Sequence, residues 1–124
     1  MQLEARKYLF DIKQAADLIA AFSGGKSFAD YGQDAMLRSA IERQFEIVGE
    51  AVSQLARLDP VLAGRLTEYR RIIAFRNILI HGYADLDQRL VWDIVQTRLG
   101  VLTEDVEGLL AQPDAKPDNS YFTR

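Results

Sequence analysis

Eight consecutive residues, 76 to 83, hold the side chains of this chain best suited to chemistry on a phosphate ester. Arg76 offers a planar guanidinium that can bind two phosphate oxygens through parallel hydrogen bonds. His81 is the only histidine among the 124 residues, and histidine is the residue type that exchanges protons most readily near neutral pH. Asn77 and Tyr83 add an amide and a phenol. These residue types together indicate acid–base chemistry at a phosphate.

The spacing within this segment predicts how a helix would arrange the groups. Asn77 and His81 are four residues apart, so on a helix they share one face and the amide can orient the imidazole. Gly82 predicts a left-handed C-cap, which would place His81 in the last turn and Tyr83 beyond the helix end. The alternative is structural: His81 caps its own helix, and Arg76 forms a salt bridge with a glutamate.

Further arginines lie close to this segment in the sequence. Arg65, Arg70 and Arg71 lie within twelve residues of each other and Arg76, opposed there only by Glu68. The whole chain is acidic, with a net charge of −3 and a pI of about 5.1, which argues against a general nucleic-acid binder. The three arginines could form a solvated face, but their proximity to Arg76 favours a local phosphate-binding patch on an acidic protein.

Two other motifs favour structural interpretations over chemical ones. Residues 24 to 27 read Gly-Gly-Lys-Ser, like the end of a phosphate-binding loop, but Ala20 stands where that loop requires glycine, and a helix is predicted before it instead of a strand. We therefore predict a helix cap and a solvated loop. Glu46 and Glu50 lie one turn apart and could bind a divalent cation, but an ion-paired helix face, with Arg43 near Glu46, is the preferred interpretation. Gly49 lies inside the same predicted helix, where glycine is roughly 1 kcal/mol less favourable than alanine, so we predict a close approach by a neighbouring helix there.

Apolar residues recur at helical spacing along almost the whole chain, and no segment alternates as a strand would. The sequence predicts an all-α protein, an up-and-down bundle of four or five helices joined by short connections. The predicted helices span about residues 3–22, 34–58, 68–81 and 87–111, with a short helical piece at 61–66. Trp92 is predicted to lie in the core or in an interface, and the last helix is expected to turn these residues inward: Leu90, Ile94, Val101, Val106 and Leu109. Residues 1–112 would form one domain, and 113–124, with two prolines, a flexible tail.

Composition limits the other possible functions. The chain is 48% apolar and 27% charged and has no cysteine, so thiol chemistry and disulfides are excluded, and one histidine cannot form a multi-histidine metal centre. No apolar run is long enough to cross a bilayer, and the N-terminus turns polar at Glu4, unlike a signal peptide. We expect a cytoplasmic protein without membrane partner, metal or cofactor.

A single histidine per chain predicts a homodimer. Acid–base cleavage of a phosphodiester usually needs both a base and an acid, and a symmetric dimer would bring two copies of the cluster to one cleft. The third long helix is more apolar than one core-facing stripe requires, as expected for a helix buried between subunits. Its apolar residues are Ile72, Ile73, Phe75, Leu79 and Ile80.

The order Arg76, four residues, His81, one residue, Tyr83 resembles the HEPN superfamily, and within it the HepT-like toxins of HepT/MntA toxin–antitoxin pairs. The polar residue after the arginine, Asn77, fits that pattern. The segment 49–51, Gly-Glu-Ala, and the pair 91–92, Val-Trp, also resemble the family in the same order. The resemblance covers roughly residues 3–112 and leaves out the tail.

The resemblance implies a homodimeric, metal-independent endoribonuclease whose substrate is RNA. Arg76 and His81 of both subunits would line a shared cleft, where an RNA 2′-OH attacks the adjacent phosphate and leaves a 2′,3′-cyclic end. In that site His81 would transfer protons, Arg76 would bind the phosphate and stabilise its developing charge, and Asn77 would orient the site. The neighbouring arginines would then contact RNA phosphates.

The resemblance also implies a partner and a switch. In such systems the antitoxin, a small nucleotidyltransferase of the MntA type, transfers AMP from ATP to the tyrosine of this motif, here Tyr83. Two alternatives stay open. The chain could be a non-catalytic HEPN module that binds or presents substrate to a partner nucleotidyltransferase, or a structural dimer in which Arg76 and His81 only cap and pair.

Overall fold

The computed structural model describes residues 1–82 and 86–112, and this part of the chain is all helical. The predicted all-α class is thus confirmed. In chain order the helices are α1 (Leu3–Ser23), α2 (Phe28–Gln33), α3 (Ala35–Leu58), α4 (Pro60–Ala63), α5 (Tyr69–His81), α6 (Gln88–Thr97) and α7 (Leu99–Ala111). Tyr83 and the predicted flexible tail at 113–124 lie outside the described residues, and the predicted domain boundary at residue 112 stays a prediction.

The bundle forms around the long helices α1 and α3, which pack along each other, with α7 against α1 and α5 against α3. Their apolar stripes face inward because the buried positions recur every three or four residues. Fully buried members include Leu9, Ile12, Ile19, Ile41, Val48, Val52, Leu55, Val91 and Val106. Trp92 lies in the core as predicted, with its ring centroid 5.3 Å from that of the buried Tyr31.

The predicted loop after α1 was wrong in part, because residues 28–33 form the short helix α2. Ser27 begins it: its hydroxyl accepts a hydrogen bond from the Asp30 amide at 3.1 Å, while the Asp30 carboxylate accepts one from the Ser27 amide at 2.9 Å. These bonds from Ser27 hold the pKa of the Asp30 carboxyl below its usual range. The reciprocal pair is a capping box, so Ser27 of the Gly-Gly-Lys-Ser segment caps a helix.

The predicted continuous helix over 87–111 was also wrong, because it breaks at Arg98 into α6 and α7. The buried positions nevertheless keep a spacing of three or four residues across the break, at Val91, Val95, Leu99, Leu102, Val106 and Leu109. Val106 and Leu109 are buried as predicted, whereas Leu90 is 41% and Val101 37% exposed. The short helix before α5 ends sooner than predicted, at Ala63.

None of the helices in the described ranges is both long and apolar enough to cross a membrane. The cytoplasmic location stays a prediction.

Candidate active site on helix α5

Helices α3 and α5 approach most closely where Gly49 faces Arg76. A Cβ atom built on Gly49 would lie 2.2 Å from the Cβ of Arg76 and 2.6 Å from its Cγ, far inside van der Waals contact. Only glycine therefore allows this helix separation. The predicted close approach of a neighbouring helix at Gly49 is confirmed. It fixes the stem of Arg76 on the surface of α3.

The guanidinium of Arg76 is held by two neighbours. Its Nη2 donates to Oε2 of Glu50 at 2.6 Å, and its Nη1 donates to Oδ1 of Asn77 at 3.2 Å. The other carboxylate oxygen of Glu50 accepts from Nε2 of Gln54 at 3.0 Å. Hydrogen bonds thus run from Gln54 through Glu50 and Arg76 to Asn77, and we call these four residues the Arg76 relay.

The relay leaves part of the guanidinium available. Each terminal nitrogen carries two N–H groups, and each uses one of them on Glu50 or Asn77. The Arg76 side chain is 28% exposed, while its Nε is buried and has no partner among the described residues. Arg76 does form the salt bridge of the structural alternative, and two terminal N–H groups remain that could bind a phosphate.

Asn77 supports a different residue from the one predicted. The expected contact was an amide hydrogen bond to His81, but the carbonyl of Asn77 accepts from Arg76, and no hydrogen bond joins Asn77 to His81 within the described ranges. Asn77 is exposed and adjacent to Arg76, so its short side chain reaches the guanidinium more directly than the imidazole one turn later.

His81 is the last residue of α5, and its side chain is exposed. The helix ends with a hydrogen bond from the Gly82 amide to the Ile78 carbonyl at 2.8 Å. Gly82 has a φ of −110°, so the predicted left-handed C-cap was wrong, although the predicted helix end is confirmed. An ordinary helical hydrogen bond closes this end, and a positive φ is therefore not required. The imidazole is open to a ligand.

Helix geometry separates Arg76 from His81 within one chain. Five residues advance an α-helix by about 7.5 Å and turn it by about 140°. Arg76 accordingly leans on α3, whereas His81 is exposed at the helix end. The two groups lie on one helix but start from different faces of it.

The predicted arginine patch lies near the other end of α5 and is partly neutralised. Arg71, 75% exposed, pairs with Glu68 at 3.2 Å, and the same carboxylate pairs with Arg98 at 2.8 Å. Arg98 was missed from the sequence because 30 residues separate it from Glu68. One glutamate thus pairs with two arginines and offsets one of their two positive charges, which lowers the positive charge expected of this patch.

The other two arginines predicted to contact phosphate, Arg65 and Arg70, make weaker interactions than an ion pair. Arg65 donates to the side chain of Gln112 at 3.3 Å, and the guanidinium of Arg70 lies 5.5 Å from the ring centroid of Tyr69. Both arginines are exposed, so either side chain can turn to a ligand. Arg70 lies about 9 Å before Arg76 along the α5 axis.

Of the α3 carboxylates Glu46 and Glu50, only Glu50 forms an ion pair, and none joins Glu46 to Arg43 among the described residues. Glu50 is paired with a cation as preferred, although the partner is Arg76 of another helix and not a neighbour on α3. In the ranges that the structure describes, no three histidine, aspartate or glutamate side chains gather in a way that could hold a metal ion.

An apolar groove of about 420 Å³ opens beside α5 and is lined by residues of α3, α5, α6 and α7. We call it the α5 groove. Its lining includes Phe45, Ile72, Phe75, Ile78, Leu90, Ile94, Val101 and Leu102. Three of these, Ile78, Leu90 and Val101, are large apolar residues that remain exposed to solvent. Because α5 packs chiefly against α3, only its Leu79 is fully buried.

An all-helical bundle that carries an arginine and a histidine on one helix is the arrangement expected of a HEPN protein. The model of the family described as "Ribonuclease HepT-like" matches residues 12–109, a range that includes both of these side chains. The chain belongs to this HepT-like ribonuclease family, as the motif resemblance predicted.

Individual relatives agree with the family match. The chain is 31% identical over 113 residues to "Probable ribonuclease HepT" of Thermococcus cleftensis, an alignment that covers 88% of this chain and 98% of the relative. It is 30% identical over 105 residues to "Putative RNase TTE0752" of Caldanaerobacter subterraneus subsp. tengcongensis, covering 85% and 93%.

A third relative is longer than this chain. It is "Gamma-glutamylcyclotransferase and putative RNase MJ0434" of Methanocaldococcus jannaschii, 26% identical over 121 residues. The alignment covers 98% of this chain but only 54% of the relative, so the chain spans about half of that protein. No solved structure gives a significant match.

Proposed function

We propose that this chain is the toxin of a toxin–antitoxin pair and acts as a metal-independent endoribonuclease with a site shared by two copies. The observation that carries the proposal is the pair on α5, an Arg76 held by the relay and an exposed His81, in a member of a ribonuclease family. One group is suited to phosphate and the other to protons.

The proposed reaction uses the RNA itself as nucleophile. The 2′ oxygen attacks the adjacent phosphorus, the bond from phosphorus to the 5′ oxygen breaks, and a 2′,3′-cyclic phosphate and a 5′-hydroxyl end result. One imidazole takes the proton from the 2′-OH, and a second, protonated imidazole gives a proton to the departing 5′ oxygen. Arg76 donates its free N–H groups to the phosphate oxygens, whose negative charge grows in the transition state.

Two histidines are needed for these two proton transfers, and each chain has one. A two-fold dimer would supply both His81 side chains and both Arg76 side chains to one cleft. The divergent faces of these residues on a single α5 also favour a site completed by a second copy. The α5 groove supports the same assembly, because it leaves the apolar side of the active-site helix uncovered.

Replacing Leu90 with glutamate is expected to weaken the dimer at least tenfold without unfolding the subunit. Leu90 lies three residues after the N-cap Asp87, where a glutamate is favourable for the helix, but its side chain borders the α5 groove. A charge there would have to be desolvated in the interface. Sedimentation over a concentration series measures the change.

Val61→Glu is the matched control for this variant. Val61 also follows an aspartate N-cap, in α4, and it is 80% exposed away from the groove. The Val61→Glu variant should leave the dissociation constant of the dimer unchanged. A dimer equally strong in Leu90→Glu and the wild type would place the interface on another surface.

Tyr83 is the proposed site of control, and this part rests on the family resemblance and its position two residues after His81. An MntA-type nucleotidyltransferase would transfer AMP from ATP to its hydroxyl oxygen and release pyrophosphate. The adenylyl group would add a bulky anion beside the cleft and repel RNA. RNA and this antitoxin are thus the proposed partners.

Coexpression with the cognate nucleotidyltransferase is expected to add one or more adenylyl groups at Tyr83 and to abolish cleavage. The unmodified protein should cut RNA in the presence of EDTA, with cyclic phosphate ends, and intact mass should report the modification. Tyr83→Phe is the control, since it lacks only the accepting oxygen and should stay unmodified and active.

The results also decide between the enzyme and the non-catalytic module. If the protein is adenylylated on coexpression but its unmodified form does not cleave RNA, the result would favour the module that presents a substrate to a nucleotidyltransferase. The acidic charge of −3 and the partly neutralised arginine patch are the observations that favour this second function. Cleavage that Tyr83 modification does not affect would contradict the proposed switch.

A further inference from the structure

We infer that Glu50 is a positioning residue for the proposed cleavage: it holds the Arg76 guanidinium so that its two free terminal N–H groups face the scissile phosphate. The inference rests on the proposed function and adds a residue from a second helix to the site. Its basis is the salt bridge of 2.6 Å between the two side chains, which lie 26 positions apart in the sequence.

Two contacts, besides the salt bridge itself, fix the position of the Glu50 carboxylate. Gly49, directly before Glu50, lets α5 approach α3 so closely that the Arg76 stem rests on the glycine. Glu50 therefore projects beside the guanidinium and not toward solvent alone. Gln54, one turn later on α3, donates to its second oxygen and restrains its rotation.

A contribution to folding stability does not account for the ion pair of Glu50 with Arg76. The Glu50 side chain is 47% exposed, and an ion pair so accessible to water contributes little to folding. A free arginine, by contrast, samples many rotamers, and a guanidinium fixed in advance loses less entropy when it binds a phosphate. The useful effect of Glu50 is therefore the orientation of Arg76.

The same carboxylate must also repel RNA. A negative charge in contact with Arg76 offsets the attraction that the arginine exerts on a phosphate. Removing the charge should therefore have opposite effects on binding and on the chemical step. RNA should bind as well or better, while cleavage of bound RNA slows because the guanidinium is no longer oriented.

Steady-state kinetics of Glu50→Ala and Glu50→Gln test this division. We expect kcat to fall at least tenfold in Glu50→Ala while KM stays constant or falls. Glu50→Gln keeps one oxygen that can accept from Arg76 and should lie between the alanine variant and the wild type. Glu46→Gln removes the same charge one turn earlier on α3 and should leave both parameters unchanged.

A second measurement does not depend on cleavage. Nitrogen-15 NMR of the arginine side chains should show slow rotation of the Arg76 guanidinium in the wild type and fast rotation in Glu50→Ala. Thermal unfolding checks that both variants are folded. The expected pattern is loss of restraint together with loss of kcat.

The outcomes separate the two proposals. An unchanged kcat in a folded Glu50→Ala, or free rotation of Arg76 in the wild type, would overturn the positioning role while cleavage by the wild type still stands. If the wild type does not cleave RNA, the proposed function fails, and the positioning role of Glu50 in cleavage fails with it, even where NMR shows a restrained guanidinium.

Discussion

RNA cleavage should fall by about 100-fold or more when His81 is replaced with alanine, because general acid–base groups contribute about 10²–10⁴ to such rates. Arg76→Lys should lose a comparable factor although it keeps the positive charge. Lysine cannot donate to Glu50, Asn77 and a phosphate through one rigid fork as the guanidinium can. Single-turnover cleavage of a labelled RNA measures both changes.

The same variant tests whether the site is shared. In dimers formed from equal amounts of wild type and His81→Ala, about one quarter carry two His81 side chains. Activity should then fall to about one quarter of the wild-type value if a base and an acid from different subunits are both required. A fall to one half would mean that each subunit works alone and would contradict the composite cleft.

Folding of these variants is not at risk from the replaced groups. His81 is exposed, and the lysine stem preserves most of the packing of Arg76 on Gly49. Arg57→Lys is a suitable control, since this exposed arginine lies in the last turn of α3, before the α4 segment. It should cleave RNA at the wild-type rate. Equal losses in all three variants would point to a general effect that does not depend on the site.

The second large effect is expected at Gly49. Gly49→Ala should lower the free energy of unfolding by roughly 1–3 kcal/mol, the usual cost of overpacking a well-filled contact. The added Cβ would lie 2.2 Å from the Cβ of Arg76, and neither atom is the free end of a flexible chain. Helices α3 and α5 must therefore separate, which outweighs the helix propensity of alanine, about 1 kcal/mol.

Gly108→Ala is the matched control for this prediction. Gly108 also lies inside a helix, α7, but a Cβ there meets nothing within 4 Å. It should raise stability by roughly 0.5–1 kcal/mol, so the two identical substitutions should have opposite signs. Denaturant unfolding measures both. A stabilised Gly49→Ala would show that α5 can move away from α3 without cost.

Activity of Gly49→Ala connects the two predictions. Separation of α3 from α5 carries Arg76 away from Glu50, so cleavage should fall further than the loss of folded protein explains. A misplacement of about 1 Å can cost on the order of 100-fold in rate. Measurement well below the unfolding transition keeps the two effects apart.

Much of the fold could be predicted from apolar spacing. Helices α1, α3 and α5 begin and end within about two residues of the predicted positions, since one face of each must be buried. Helix α2 was missed although its signal was present, because Ser27 and Asp30 form a capping box with aspartate in the usual place of glutamate. The break at Arg98 has no proline to mark it, and Gly100, two residues later, lies inside α7.

The candidate site, like the fold, was predictable from the sequence only in part. Residue type and local spacing were enough to select Arg76, Asn77 and His81, because all three lie within six positions of one helix. The pairing of Arg76 with Glu50 was not predictable in this way. A glycine inside a helix indicated a close approach, but no local pattern identifies which helix approaches or which carboxylate meets the guanidinium.

The sequence by itself determined the all-α class, the ends of the main helices, the phosphate- and proton-handling residue types and the family to which they belong. These properties depend on periodicity, capping and motif spacing, which act over a few neighbouring residues. Tertiary structure decided that Gly49 brings Arg76 against Glu50, that Asn77 turns to the arginine, and that an apolar groove opens beside α5. These features arise from contacts between helices distant in the chain, whose geometry depends on how all the side chains pack together.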